Sequence, residues 1–236
     1  MEAIYKRVLI KISGEALAGE KGTGFDFDIV SRVCEAVKAC TELGVQVGIV
    51  IGAGNFWRGV KDGAGKVERV SADRMGMLGT AMNCLAVADV FCKHGVDARI
   101  MCAMDIQGVG ERFDAKKSIE YLERGSVVLF AGGTGCPFFS TDTAAVLRAA
   151  EIQADAILLA KNIDGVYSAD PRKDPSAVKY DAIRYEEVLA KKLAVMDITA
   201  TSLAMDNHIP VAVFALAEPE NMKKVLCGEK IGTIVQ

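Results

Sequence analysis

A chain of 236 residues that is 51% hydrophobic but only 6% aromatic can fill one α/β sheet with two helical layers, and this composition excludes a disordered chain. The formal net charge of -3 gives no broad positive field to hold DNA or RNA, so chemistry on phosphates would have to rest on local groups. Seven cysteines and two histidines without a C-x-x-C pair argue against zinc, and the charged start from Met1 to Lys11 lacks the apolar run of a signal peptide or membrane span, so a cytoplasmic protein is expected.

Arg7 to Ile12 reads as a buried strand, and Lys11 at its end points into the turn K-I-S-G, which Gly19, Gly22 and Gly24 follow. Ile29, Val33, Val37 and Cys40 share one face of a helix that Asp26 or Asp28 can cap and that Gly44 follows. The strand Val45 to Ile51 leads into G-A-G-N-F-W-R-G, Gly52 to Gly59, which contains Arg58. A helix from Ser71 to His94 is expected to close on Gly95, with Asp73 in its opening turn, before a strand at Ala98 to Cys102. Asp114 to Arg124 reads as a further helix, closing on Gly125.

Val127 to Ala131 is the next strand and runs into G-G-T-G-C-P-F-F-S-T-D-T, Gly132 to Thr143. The strand Ala156 to Ala160 precedes a loop-rich stretch, Asn162 to Pro175, which reads as a hairpin-like excursion with its turn signal at Asp164-Gly165. Helices resume near Tyr185 and Ile198, and Val211 to Leu216 is the sixth apolar run. The β-α alternation predicts a single domain over residues 1–236: a three-layer αβα sandwich around a mainly parallel sheet. Cys34, Cys40, Cys84 and Cys92 fall in apolar helical patterns and are expected in the core as small hydrophobes.

In such sheets ligands bind where strands end, and three of these strand ends are glycine-rich, which lets backbone N–H groups approach an anion. None matches G-x-x-x-x-G-K-[ST], so this is not a P-loop. Gly52-Ala53-Gly54 also fails the dinucleotide fingerprint, because Trp57 stands where a third glycine belongs. Lys11 is placed to meet a transferring phosphoryl group, and Arg58 could bind phosphate in a bidentate manner. Asp73 and Asp142 stand at expected helix starts, where a carboxylate is favourable as a cap in any case.

K-I-S-G-E-A-L from Lys11, V-I-G-A-G-N-F-W-R-G from Val50, A-D-R-M-G-M-L from Ala72, G-T-G-C-P-F-F-S-T-D-T from Gly133, K-N-I-D-G-V-Y-S-A-D-P from Lys161 and V-M-D from Val195 together resemble the amino acid kinase family, and within it the bacterial UMP kinases. The resemblance spans nearly the whole chain and implies the fold of that family and transfer of the ATP γ-phosphoryl group to UMP. It implies that Lys11, Ile12, Ser13, Gly14, Gly54 and Arg58 meet the ATP phosphates and that Asn162, Tyr167 and Asp170 hold the adenosine part. Ala53, Asp73, Thr134, Gly135, Cys136, Pro137, Phe138, Phe139, Ser140 and Thr141 would hold UMP. Asp142 would orient the lysines at the reaction centre, making Lys11, Arg58 and Asp142 the catalytic set.

The segment Gly19, Glu20, Lys21, Gly22, Thr23 and Gly24 would serve activation by GTP, with UTP as inhibitor and a homohexamer as the assembly. Mg2+ would travel with ATP, with no protein metal ligand. Ala53 and Cys136 depart from the usual G-G-G-N and T-G-N-P. Phosphorylation of a carboxylate or carbamate, and a non-catalytic nucleotide sensor, are the competing readings.

Overall fold

The computed structural model describes residues 2–58 and 65–236; Met1 and Gly59, the last residue of the second glycine turn, lie outside them. The expected strands are present as β1 (Arg7–Ile12), β2 (Gln46–Ile51), β3 (Ala98–Cys102), β5 (Val127–Ala131), β6 (Ala156–Lys161) and β10 (Val211–Ala215). Four further short pieces, β4 (Glu111–Arg112), β7 (Val166–Tyr167), β8 (Lys179–Tyr180) and β9 (Ala182–Ile183), and the later β11 (Thr233–Val235) have no apolar run to announce them. Among the described residues one nine-stranded sheet runs β4-β3-β5-β2-β1-β6-β10-β11-β9. All its neighbours are parallel except β10 and β11, which are antiparallel.

Side chains of a strand alternate between faces, so β1 divides its residues between two cores. Val8, Ile10 and Ile12 face a layer made by α1 (Gly14–Ala18), α2 (Phe27–Thr41), α3 (Arg69–Lys93) and α8 (Asn221–Leu226). Leu9 faces the other, made by α4 (Ala115–Glu123), α5 (Thr141–Glu151), α6 (Tyr185–Ala190) and α7 (Ile198–Asp206). Some of the helices in these layers begin at aspartate side-chain caps: Asp26 accepts from the N–H groups of Asp28 and Ile29, and Asp114 from that of Lys117.

Several expectations need correction. Cys34, Cys40 and Cys84 are buried, and burial pushes the first two thiols up to about 11 and about 12, but Cys92 is exposed. It directly follows Phe91, which is fully buried, and so points away from the sheet. Asp73 does not open its helix: α3 starts at Arg69, so Asp73 pairs with Arg69 across one turn instead of capping. The stretch after β6 does contain a hairpin, β7 with β8, but Asp164-Gly165 precedes β7 and the connection lies between Tyr167 and Lys179.

Helix α3 is long and apolar enough by length and composition to cross a membrane, yet 56% of its most apolar window is buried within this fold. Met75, Leu78, Met82 and Leu85 form an exposed stripe along its outer side.

Gly232 connects into β11 at φ 77°, and a Cβ there would overlap the carbonyl of Val213 on β10. Gly232→Ala is therefore expected to cost at least about 2 kcal/mol, or about 4 to 8 °C in a thermal melt of a chain this long. An unchanged melting temperature would show that the β10–β11 junction yields freely.

Candidate active site

Lys11 shares the parity of Leu9, so its side chain faces the layer that contains α5. The residue is only 9% exposed, and a buried ammonium needs a partner. Asp142, in the first turn of α5, supplies it: Lys11 Nζ lies 2.6 Å from Asp142 Oδ1, which meets it as an ion pair without an aligned hydrogen bond. The cap of α5 is Ser140, whose hydroxyl accepts the N–H groups of Asp142 and Thr143, so Asp142 is left for the lysine rather than for capping. Asp197 accepts from the hydroxyls of both Ser140 and Thr143 and caps α7 through the N–H of Ala200.

Lys161 ends β6, the neighbour of β1, and has the parity of Ile157 and Leu159, which face the same layer as Leu9. Its Nζ donates to the carbonyls of Val195 and Ala194. Burial lowers the pKa of this amine below the ordinary lysine value; Asp142 opposes the shift and Lys11 adds to it. Two lysines and one carboxylate thus meet at the carboxyl ends of adjacent strands. Sequence reasoning gave Lys161 no role, although a lysine closing an apolar run was the same signal that marked Lys11.

The turn after β1 presses on the turn after β2. A Cβ on Gly14 would overlap Gly52 O and Asn55 Oδ1, so only glycine permits the approach. Arg58 pairs with Glu15 at 2.6 Å, and Glu15 leans against Gly54. Trp57 donates its indole N–H to Ala72 O at 2.8 Å, tying this turn to α3. On the turn after β5, Phe138 sits at φ 72°, an uncommon conformation for a bulky residue. Asp73 Oδ2 holds it by accepting the Phe138 N–H at 2.7 Å, and Arg69 stacks over the ring at 5.3 Å.

Two cavities open here. One, of about 310 Å3, is lined by Ser13, Gly14, Ala53, Gly54, Trp57, Asp73, Thr134, Phe139, Ser140 and Thr141. The other, of about 680 Å3, is lined by Lys161, Asn162, Tyr167, Asp170, Arg172, Lys191 and Val195. Lys11 and Ser13 line both. Of the expected residues, Ile12, Arg58, Gly135, Cys136, Pro137, Phe138 and Asp142 line neither. Gly19 to Gly24 also stand apart, with Thr23 and Gly24 hydrogen-bonded to the backbone carbonyl of Asn55.

The model of the amino acid kinase family matches residues 6–215. Among solved structures, the UMP kinase from Bacillus anthracis superposes with a TM-score of 0.95 at 38% identity, over 98% of this chain and 96% of that one. The UMP kinase from Ureaplasma parvum gives 0.92 at 34% identity, over 98% of both chains. The uridylate kinase from Archaeoglobus fulgidus gives 0.75 at 26% identity, over 97% of this chain and 99% of that one. A sheet with this strand order, glycine turns at its centre and a family match over most of its length place the chain in the amino acid kinase family.

Proposed function

We propose that the chain is a UMP kinase, which transfers the γ-phosphoryl group of ATP to UMP and yields UDP and ADP for pyrimidine nucleotide synthesis. The observation that carries this reading is the pair of cavities that share Lys11 and Ser13. Two separate ligands can meet there only at one cationic point. The smaller cavity lies at the lower end of the range of about 300–1,000 Å3 typical of small-molecule sites, more than a carbamate or simple carboxylate needs. Its walls, Trp57, Phe139, Asp73 and Thr134, suit a base and a ribose, whereas the larger cavity suits ATP.

Phosphoryl transfer passes through a loose transition state with charge on the equatorial oxygens, so positioned cations matter more than a base. Lys11, held by Asp142, faces those oxygens, and Lys161 approaches from the neighbouring strand. The UMP phosphate is itself a competent nucleophile, so transfer is direct, without a general base or covalent intermediate. Mg2+ would arrive with ATP and supply positive charge against that of the phosphates, while Asp142 is paired with Lys11. Asp73 keeps its second oxygen for a ribose hydroxyl while the first holds Phe138.

Activation by GTP through Gly19 to Gly24, inhibition by UTP and assembly as a homohexamer belong to the same proposal. The exposed stripe of Met75, Leu78, Met82 and Leu85 supports self-association, and the hydrogen bonds from Thr23 and Gly24 to Asn55 give the Gly19 to Gly24 segment a route to the phosphate turn. Seven unpaired cysteines support a reducing compartment, the cytoplasm.

In an ADP-release assay UMP is expected to be phosphorylated far better than CMP or dUMP; a comparable kcat/KM for CMP would remove the assignment. Asp73→Asn keeps an acceptor for the Phe138 N–H, so it is expected to raise KM for UMP and leave that for ATP nearly unchanged. Equal effects on both would make the carboxylate purely structural. Lys11→Met and Arg58→Met should each lower kcat by about 10² to 10³ with small changes in either KM. Lys11→Met also strands Asp142, a loss on the order of 3 kcal/mol, so its kinetics are to be read well below its melting temperature. Retention of kcat within about threefold would show that Lys11 does not stabilise the transferring group.

A further inference from the structure

Asn55 and Asn83 are 2% and 0% exposed and face each other as a reciprocal carboxamide pair. Asn55 Nδ2 donates to Asn83 Oδ1 at 2.8 Å, and Asn83 Nδ2 donates to Asn55 Oδ1 at 2.9 Å. Each amide spends its other N–H on a backbone carbonyl: Asn83 on Gly52 O at 2.7 Å and Asn55 on Gly24 O at 2.8 Å. Because only an N–H can meet those carbonyls, the orientation of both amides is determined and the network is complete. Neither residue lines either cavity.

The carbonyls and turns they hold do belong to the site. Gly52 lines the smaller cavity, and Asn55 Oδ1 fills the narrow gap between the Gly14 and Gly52 turns. One helical turn before Asn83, the Thr80 hydroxyl accepts the N–H of Gly132 at 2.8 Å, at the start of the turn after β5. Two residues of α3 three positions apart therefore grip the ends of two neighbouring strands. Trp57 adds a third grip through Ala72 O. A buried pair placed for packing alone would be served as well by two leucines, without the desolvation of four polar atoms.

We propose that Asn83, acting through Asn55, is a positioning residue for phosphoryl transfer: it sets the height of the Gly52 to Gly54 turn above Lys11 and so the alignment of the reacting phosphates. This rests on the UMP kinase reading. A displacement of about 1 Å in such a turn can cost on the order of 10² in rate while substrates still bind. The effect belongs in kcat more than in KM, because binding uses many contacts and alignment few.

The test is steady-state kinetics of the full-length protein with ATP and UMP, beside a thermal melt, for Asn83→Leu and Asn83→Ser. Leucine fills the volume without the amide; serine is smaller and leaves room for water, so it folds even where the leucine variant does not. Asn83→Leu is expected to lower kcat about 10- to 100-fold and Asn83→Ser about 10-fold, with both KM values within about threefold of wild type. A folded variant whose kcat stays within about threefold of wild type overturns the inference, however far its melting temperature falls; if only Asn83→Ser folds, it decides alone. Wild-type protein that releases no ADP in the presence of UMP overturns the proposed function, and the positioning role falls with it.

Discussion

A lysine buried in the middle of a sheet is the constraint around which the rest is arranged. β1 is buried along its whole length and flanked by β2 and β6, so the Lys11 ammonium is largely removed from bulk water, which it meets only through the two cavities, and requires a fixed anion. Asp142 can serve only if α5 begins at the right height, and the Ser140 cap sets that height. Asp197 holds Ser140 and Thr143 and also starts α7, whose preceding segment accepts the hydrogen bonds of Lys161. One charge requirement thus connects β1, α5, α7 and β6, and the cavities form on either side of it.

The long apolar strands and the helices between them were legible because burial on both faces leaves a continuous run and helices leave a 3.6-residue period. Lys11 and the glycine turns were legible because they stand at the ends of apolar strands, whereas Asp142 stands at a helix start, where a cap is equally expected, and was singled out only by the resemblance of its motif to the amino acid kinase family. β4, β9 and β11 were not, since strands of two or three residues owe their pairing to neighbours rather than to their own composition. Asp73 was misplaced because the opening of α3, Arg69–Lys93, carries no side-chain cap to mark it. Cys92 was misassigned because a helix so rich in apolar residues has an apolar outer face too, which blurs its inward stripe.

Asn55 and Asn83 illustrate a different limit. Each asparagine, read alone in the sequence, is a turn residue or a neutral helical residue; their meaning lies in a contact across 28 positions that no local pattern encodes. The same holds for Asp73 and Phe138, where a left-handed backbone and the carboxylate that holds it lie 65 positions apart. Buried polar partners of this kind specify how turns sit relative to one another, whereas the apolar core specifies only that the layers come together.

The strand order has a consequence for synthesis. Within the nine-stranded sheet, the strands from β1 to β5 build one side, β4-β3-β5-β2-β1, and β6, β9, β10 and β11 build the other, β6-β10-β11-β9. When the nascent chain has emerged only as far as β5, the outward edge of β1 still lacks its partner, and that edge is long, parallel and apolar. Such an edge recruits any extended segment that reaches it. The interval between translation of β5 and of β6 is therefore the stage at which this protein is most exposed to misassociation, and the arrival of Ala156–Lys161 ends it.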